Sequence, residues 1–200
     1  MAQLKGAIIL IDVKAILTES NAIFKGHFEL RSHEHSDTYV ECGKILQYTW
    51  RVKEIGTELA LRSQRFAPDC VISATRNGMI IGYEMARNMD IPFIYLEEDG
   101  GHLSFTHCMN PKMFKNILIV EDVVRDGKII HDILKALDDF DSSAIGIASI
   151  VKIGHLDKIE GLQVVSLLNI QAQIYKPEEC PLCNAGIPLE SYKNLCDKEH

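Results

Sequence analysis

The run Ile117-Leu118-Ile119-Val120, closed by Glu121-Asp122, constrains the fold more than any other part of the chain. Four consecutive apolar residues leave no polar face, so the run reads as a strand covered on both sides. A turn at Gly127 follows, and Ile129, Ile130, Ile133, Leu134 and Leu137 then mark one face of a helix. The same order occurs twice before it. Cys70-Val71-Ile72-Ser73-Ala74 passes through a Gly-containing turn into a helix over Met79–Met89, and Phe93-Ile94-Tyr95-Leu96 leads into a long polar loop. Ile145–Ile150 and Val164–Leu168 are further apolar runs. Short apolar strands alternating with amphipathic helices predict an α/β fold, a Rossmann-like parallel β-sheet with helices on both faces. Upstream, apolar spacing over Ile8–Ile23 predicts one or two helices, the His-rich stretch from Phe24 to Val40 reads as strand and loop, and Ile45–Phe66 reads as helix. Ligands of such sheets bind at the carboxyl ends of the strands, which directs attention to the loops starting at Ala74, Glu97 and Glu121.

The 200 residues suit one domain of ordinary size, long enough to bury a core without staples. A net charge of −7 gives no long-range attraction for nucleic acid or an anionic membrane, so neither is an expected partner. The longest apolar run, Ala7–Ile11, is too short for a membrane span or a signal core. Six cysteines without an export signal predict free thiols in a reducing cytoplasm.

Chemistry concentrates at Glu121-Asp122-Val123-Val124-Arg125-Asp126-Gly127. Two carboxylates at a strand end can accept hydrogen bonds from vicinal ribose hydroxyls, and amides at the next helix N-terminus can hold a phosphate. In isolation the same residues equally describe a strand end with two solvated acids. The flanking segments shift that balance. The Glu121–Gly127 segment resembles the phosphoribosyl pyrophosphate signature of the type I phosphoribosyltransferases. Asn21 to Leu30, Ser32-His33-Glu34-His35-Ser36-Asp37-Thr38-Tyr39-Val40, Ala74-Thr75-Arg76-Asn77-Gly78 and the tail Cys180 to Leu189 resemble, in the same order, segments of orotate phosphoribosyltransferases.

That resemblance implies the type I phosphoribosyltransferase fold. It gives a phosphoribosyltransferase-like domain over 1–176, whose residues 1–45 form an N-terminal helix and hood segment, and a short Cys-containing C-terminal tail over 177–200. Glu121 and Asp122 would bind the ribose hydroxyls and, directly or through water, Mg²⁺ held mainly by the pyrophosphate. Amides from Arg125 through Gly127 and Lys128 to Ile129 would hold the 5-phosphate. Ala74, Thr75, Arg76, Asn77 and Gly78 would approach the pyrophosphate, with Gly78 permitting close contact. Ser36 and Tyr39 would lie near the base. The implied substrates are phosphoribosyl pyrophosphate and a nitrogenous base, in a homodimer. Loss of either carboxylate should then weaken binding and scarcely move the folding midpoint.

Departures from the family pattern are specific. Arg125-Asp126-Gly127 stands where the family has Thr-Thr-Gly, and Asp126 is placed to cap the helix and occupy phosphate-binding amides. His33 replaces a Gly. Lys152 is the nearest basic candidate for the family's orotate-contacting Arg. In the flexible loop, Glu97, Glu98, Asp99 and His102 stand where the family brings Lys and Arg over the leaving pyrophosphate, so weakened orotate turnover is expected. A non-catalytic phosphoribosyl-binding or regulatory module, and a purine-salvage phosphoribosyltransferase, are the alternative readings. His33 and His35 read as site neighbours; His131, His155, Cys42, Cys70 and Cys108 read as residues without chemistry. Cys180, Cys183, Cys196 and His200 have the spacing Cys-x2-Cys-x12-Cys-x3-His, which suits tetrahedral zinc, while the family's paired cysteines do not require a metal.

Overall fold

The computed structural model describes residues 11–191 and Leu195. The strands are β1 (Ile23–Glu29), β2 (His35–Val40), β3 (Cys70–Ser73), β4 (Phe93–Asp99), β5 (His102–Phe105), β6 (Asn116–Val124), β7 (Ser143–Ile153), β8 (Lys158–Ile159), β9 (Leu162–Ile170) and β10 (Ile174–Tyr175). The helices are α1 (Val13–Glu19), α2 (Gly43–Leu46), α3 (Thr49–Ser63), α4 (Arg76–Met89), α5 (Lys128–Leu137) and α6 (Pro181–Asn184). β4, β3, β6, β7 and β9 lie side by side and parallel, and the antiparallel strands β5 and β8 close the two edges of this seven-stranded sheet.

Side-chain alternation along β6 divides the core into two layers. Leu118 and Val120 join Ile55 and Leu59 of α3 and Ile81 and Met85 of α4 on one face. Ile117 and Ile119 join Ile129, Ile130 and Ile133 of α5 on the other. Gly82 lets α4 settle on the sheet, since a Cβ there would stand 2.9 Å from the Phe93 ring. Helices therefore cover both faces, as the apolar strands require. Among the described residues no helix is long and apolar enough to cross a membrane.

Three local expectations change. Of the helical stretch expected over Ile8–Ile23, α1 accounts for Val13–Glu19, while Ile23 begins β1 and residues before Ile11 lie outside the described ones. The expected Ile45–Phe66 helix is broken at Tyr48, whose extended backbone (φ −96°, ψ 106°) separates α2 from α3, and it ends in a 3₁₀ turn. The polar loop after Leu96 is a β-hairpin: β4 runs on through Glu97-Glu98-Asp99 and returns as β5. Gly100 and Gly101, with φ of +57° and +84°, supply the two positive-φ positions that a tight hairpin turn needs.

β1, β2 and β10 form a separate antiparallel sheet, here called the hood, above the carboxyl ends of the parallel strands. The chain beyond β10 passes through a short 3₁₀ turn and α6, then returns to β1, where Glu190 N–H donates to His27 O at 2.7 Å.

Candidate active site

β6 continues past Val120 as far as Val124, so the acidic pair lies within the strand rather than beyond its end. Successive side chains of a strand point to opposite faces, and the pair is split accordingly. Glu121 is fully buried. Its Oε1 accepts from the backbone N–H of Ala74 (2.8 Å) and Thr75 (3.2 Å), and its Oε2 accepts from the Thr75 hydroxyl. Burial pushes its pKa up to about 7 against the pull of these donors. Asp122 points the other way and lines a cavity of about 850 Å³ between the hood sheet and the N-termini of α4 and α5. Asn77 Nδ2 donates to Asp122 Oδ2 at 3.0 Å and to Glu41 Oε1 at 3.2 Å, drawing a second carboxylate into the same corner. Burial, with a further contribution from Glu41, raises the Asp122 pKa, while Asn77 and Arg125 oppose the rise.

The loop before α4 is tightly constrained. Thr75 caps the helix by accepting from Gly78 N–H at 3.0 Å. The N–H groups of Ala74, Thr75 and Gly78 are thus occupied, leaving those of Arg76 and Asn77 in the first turn without an intrahelical acceptor. Gly78 is required for a reason other than approach of a ligand: a Cβ there would come within 2.8 Å of the Glu121 carboxyl carbon and of Thr75 Oγ1.

At the second helix, Gly127 adopts φ +74° as the residue before α5. Asp126 Oδ1 accepts from Lys128 N–H at 3.0 Å and its Oδ2 from Ser32 N–H at 3.3 Å, so Asp126, one residue before the N-cap Gly127, occupies the first amide of α5 and ties the hood turn to that helix. Arg125 lines the cavity with its guanidinium carbon 5.0 Å from the centre of the Tyr39 ring. Its Nη1 is buried and has no hydrogen-bond partner among the described residues. Burial pushes the Tyr39 phenol up to about 12, with Arg125 pulling against it, so the hydroxyl stays neutral.

The cavity brings together Ala74 to Asn77, Asp122 to Gly127, Ile129, Tyr39, His33 and Glu98 from the sequence-derived set. Ser36 is a correction. Three residues from Tyr39 on β2, it points the opposite way, is buried, and donates to Thr38 O at 2.9 Å. His35 also turns away from the cavity, and Lys152 pairs with Asp157 at 2.7 Å outside it. His33 occupies a backbone position with φ +67°, which explains a Gly in the related pattern. His131 is exposed, as expected, and contacts Glu160. Two lining residues escape the sequence reading. Glu41 follows β2 without a motif of its own, and Arg31 comes from the hood turn, where its Nη2 meets Glu98 Oε2 at 2.8 Å. In the tail, Cys196 and His200 lie outside the described residues, and the side chains around Cys180 and Cys183 are His27 and His35 instead.

No protein-family model matches the chain. A curated orotate phosphoribosyltransferase of Thermoanaerobacter sp. (strain X514) is 34% identical over 183 residues, covering 89% of this chain and 94% of the relative. The chain belongs to the orotate phosphoribosyltransferase family. A second member, from Caldanaerobacter subterraneus subsp. tengcongensis, is 33% identical and covers 88% of this chain and 93% of its own. The orotate phosphoribosyltransferase of Aeropyrum pernix matches in fold, with a TM-score of 0.65 at 18% identity over 79% of this chain and 93% of that one. Within the orotate phosphoribosyltransferase family, this chain carries Arg125-Asp126 where the pattern described above has two threonines, and three acids in the hairpin after Leu96.

Proposed function

We propose that the protein transfers the phosphoribosyl group of phosphoribosyl pyrophosphate to orotate, forming a pyrimidine nucleotide. The observation that carries this reading is the cavity itself, lined by Asp122 and Arg125, onto which the N-termini of α4 and α5 both open. A guanidinium beside two helix N-termini suits an anion, and a 5-phosphate fits that position. Arg125 compensates for the two missing hydroxyls, while Asp126 withdraws only the Lys128 amide. In this reading Asp122 holds the ribose hydroxyls, the Arg76 side chain and first-turn amides of α4 face the pyrophosphate, and Tyr39 lies toward the base. Glu121 acts indirectly, as the buried anchor of the Ala74-Thr75 turn. The base nitrogen gives up its proton to water and forms its bond to the anomeric carbon as the bond to pyrophosphate breaks, and pyrophosphate departs with the electron pair. The residues contribute mainly position and charge.

The lining also fits Mg²⁺. Five carboxylates (Glu29, Glu41, Glu98, Asp122 and Asp126) face three arginines (Arg31, Arg76 and Arg125), so a polyanionic substrate needs a cation of its own. Asp122 and Glu41, bridged by Asn77, offer the hard oxygen donors that Mg²⁺ prefers. Bound with the substrate, Mg²⁺ would neutralise charge on the leaving pyrophosphate. We assign the protein to the cytoplasm on its free thiols, and to a homodimer. The exposed Tyr48 and Trp50 rings, 5.0 Å apart, and the exposed Ile80 and Tyr83 support pairing.

Calorimetry with phosphoribosyl pyrophosphate and Mg²⁺, followed by product assays with orotate, uracil and purine bases, tests the reading. Binding and orotate-dependent release of pyrophosphate are expected. No heat at millimolar ligand overturns it, and binding without turnover on any base favours the non-catalytic alternative, which the acid Glu98 in the lining supports.

A further inference from the structure

Away from the cavity, four side chains from distant parts of the chain converge beneath the hood. His27 (β1) and His35 (β2) meet Cys180 and Cys183, which flank the start of α6. His27 Nε2 lies 2.9 Å from His35 Nδ1, 3.4 Å from Cys180 Sγ and 3.7 Å from Cys183 Sγ, and Cys183 Sγ lies 3.3 Å from His35 Nδ1. All four ligand atoms fall within 4.8 Å of one another. With Zn–N of about 2.0–2.1 Å and Zn–S of about 2.3 Å, a regular tetrahedron separates N from N by about 3.3 Å, N from S by about 3.5 Å and S from S by about 3.8 Å. The three N–S spacings of 3.3, 3.4 and 3.7 Å bracket the N–S value, and the two ring nitrogens, 2.9 Å apart, stand a few tenths of an ångström inside theirs.

The surroundings agree with a metal centre. His27 Nδ1 lies 2.7 Å from Ile187 O, and a carbonyl only accepts, so Nδ1 carries a proton and Nε2 is the atom turned to the cluster. That is the outer hydrogen bond by which metal-binding histidines are oriented. His27, His35 and Cys180 are buried, while Cys183 keeps one side of the cluster open to solvent, a route for metal entry. Two soft sulfurs and two imidazoles, with no carboxylate in the group, select zinc among common divalent ions.

We propose that His27, His35, Cys180 and Cys183 bind one structural Zn²⁺ that staples the C-terminal tail to the hood. The site is separate from the transfer reaction and stands whether or not that activity is found. Its consequence for the molecule is mechanical. β1 and β2 lead directly into the hood residues Glu29, Arg31, His33 and Tyr39 that roof the cavity, so the staple fixes that roof from behind.

The test is metal analysis of untagged, full-length protein purified without chelator. Close to one zinc per chain is expected, falling at least tenfold in Cys183→Ser and His35→Gln while circular dichroism stays native. Cys196→Ser and His200→Gln should retain the metal. Cobalt exchanged into the parent protein should show thiolate-to-cobalt charge transfer and the intense visible bands of tetrahedral coordination, and Cys183→Ser should weaken both. Cobalt in the parent protein reports the site independently of how any variant folds. Protein that is folded, metal-free and unable to take up added zinc or cobalt under reducing conditions would overturn the proposal. So would zinc lost with Cys196 and His200 but retained without His35 and Cys183.

Discussion

Replacing Glu121 by Gln should remove a specific pH dependence from the stability of the fold. Glu121 is fully buried, and its pKa rises from an ordinary 4.5 to about 7 because burial disfavours the charged form more than its donors support it. A carboxyl with a raised pKa binds its proton more tightly in the folded than in the unfolded state. Its contribution is therefore fully present below pH ~4.5, declines as the pH rises toward ~7, and is absent above that. The interval corresponds to about 3 kcal/mol, so folding should weaken by roughly that amount between pH 5 and 8 from this group alone.

Urea titrations of parent and Glu121→Gln at pH 5, 6, 7 and 8 measure the effect, and the difference between the two proteins isolates Glu121 from other groups. The Gln variant should start below the parent at pH 5. Its Nε2 takes the place of Oε2 and donates to Thr75 Oγ1, which already accepts from Gly78 N–H, leaving the Thr75 hydroxyl proton without an acceptor. By pH 8 the variant should match or exceed the parent. Parallel pH profiles would refute the reasoning, because they would mean that Glu121 titrates as it does in the unfolded chain.

The turn before α4 should not tolerate a methyl group: Gly78→Ala should cost about 1–3 kcal/mol in denaturant unfolding, since the added Cβ meets the Glu121 carboxyl and Thr75 Oγ1. Arg125→Gln should weaken phosphoribosyl pyrophosphate binding by about 1.5–3 kcal/mol in calorimetry, with little change in folding. Glu98→Gln should raise turnover on orotate by releasing Arg31 toward the pyrophosphate, whereas Glu97→Gln should leave the rate close to that of the parent; steady-state assays of both decide it. Trp50→Glu should shift a dimer toward monomer in light scattering.

The order of strands and helices was legible because a doubly covered parallel sheet must be apolar throughout, and runs such as Ile117–Val120 have no other use. Details set by backbone geometry were harder to read. The separate fates of Glu121 and Asp122 depend on β6 running four residues beyond its apolar run, and an acidic pair ordinarily marks a strand's end. Once strand is assigned through Val124, alternation alone separates the two carboxylates. The same rule applied to β2 would have separated Ser36 from Tyr39. Arg31 and Glu41 had no local signal, since they reach the cavity through the placement of the hood above the sheet. His27 and His35 meet Cys180 and Cys183 across about 150 residues of chain, a contact that no spacing rule contains.

The hairpin after Leu96 bears most directly on activity, and its geometry changes the electrostatic reckoning. Three acids in a mobile loop would all be free to approach the pyrophosphate, each opposing it by several kcal/mol at an effective dielectric of ~20. In a paired strand they alternate. Glu98 faces the cavity on the same side as the buried Ile94 and Leu96, while Glu97 and Asp99 point to the other side. Glu98 in turn meets Arg31, and both ends of that pair are about half exposed, so little stability depends on it and it can part when a stronger anion arrives. The hairpin thus presents the cavity with one ion pair rather than three bare charges. Arg31, brought from the hood, lies where it can exchange a carboxylate for a phosphate. Acidity in the hairpin sequence therefore lowers the expected turnover through competition for Arg31, and the competing group is Glu98.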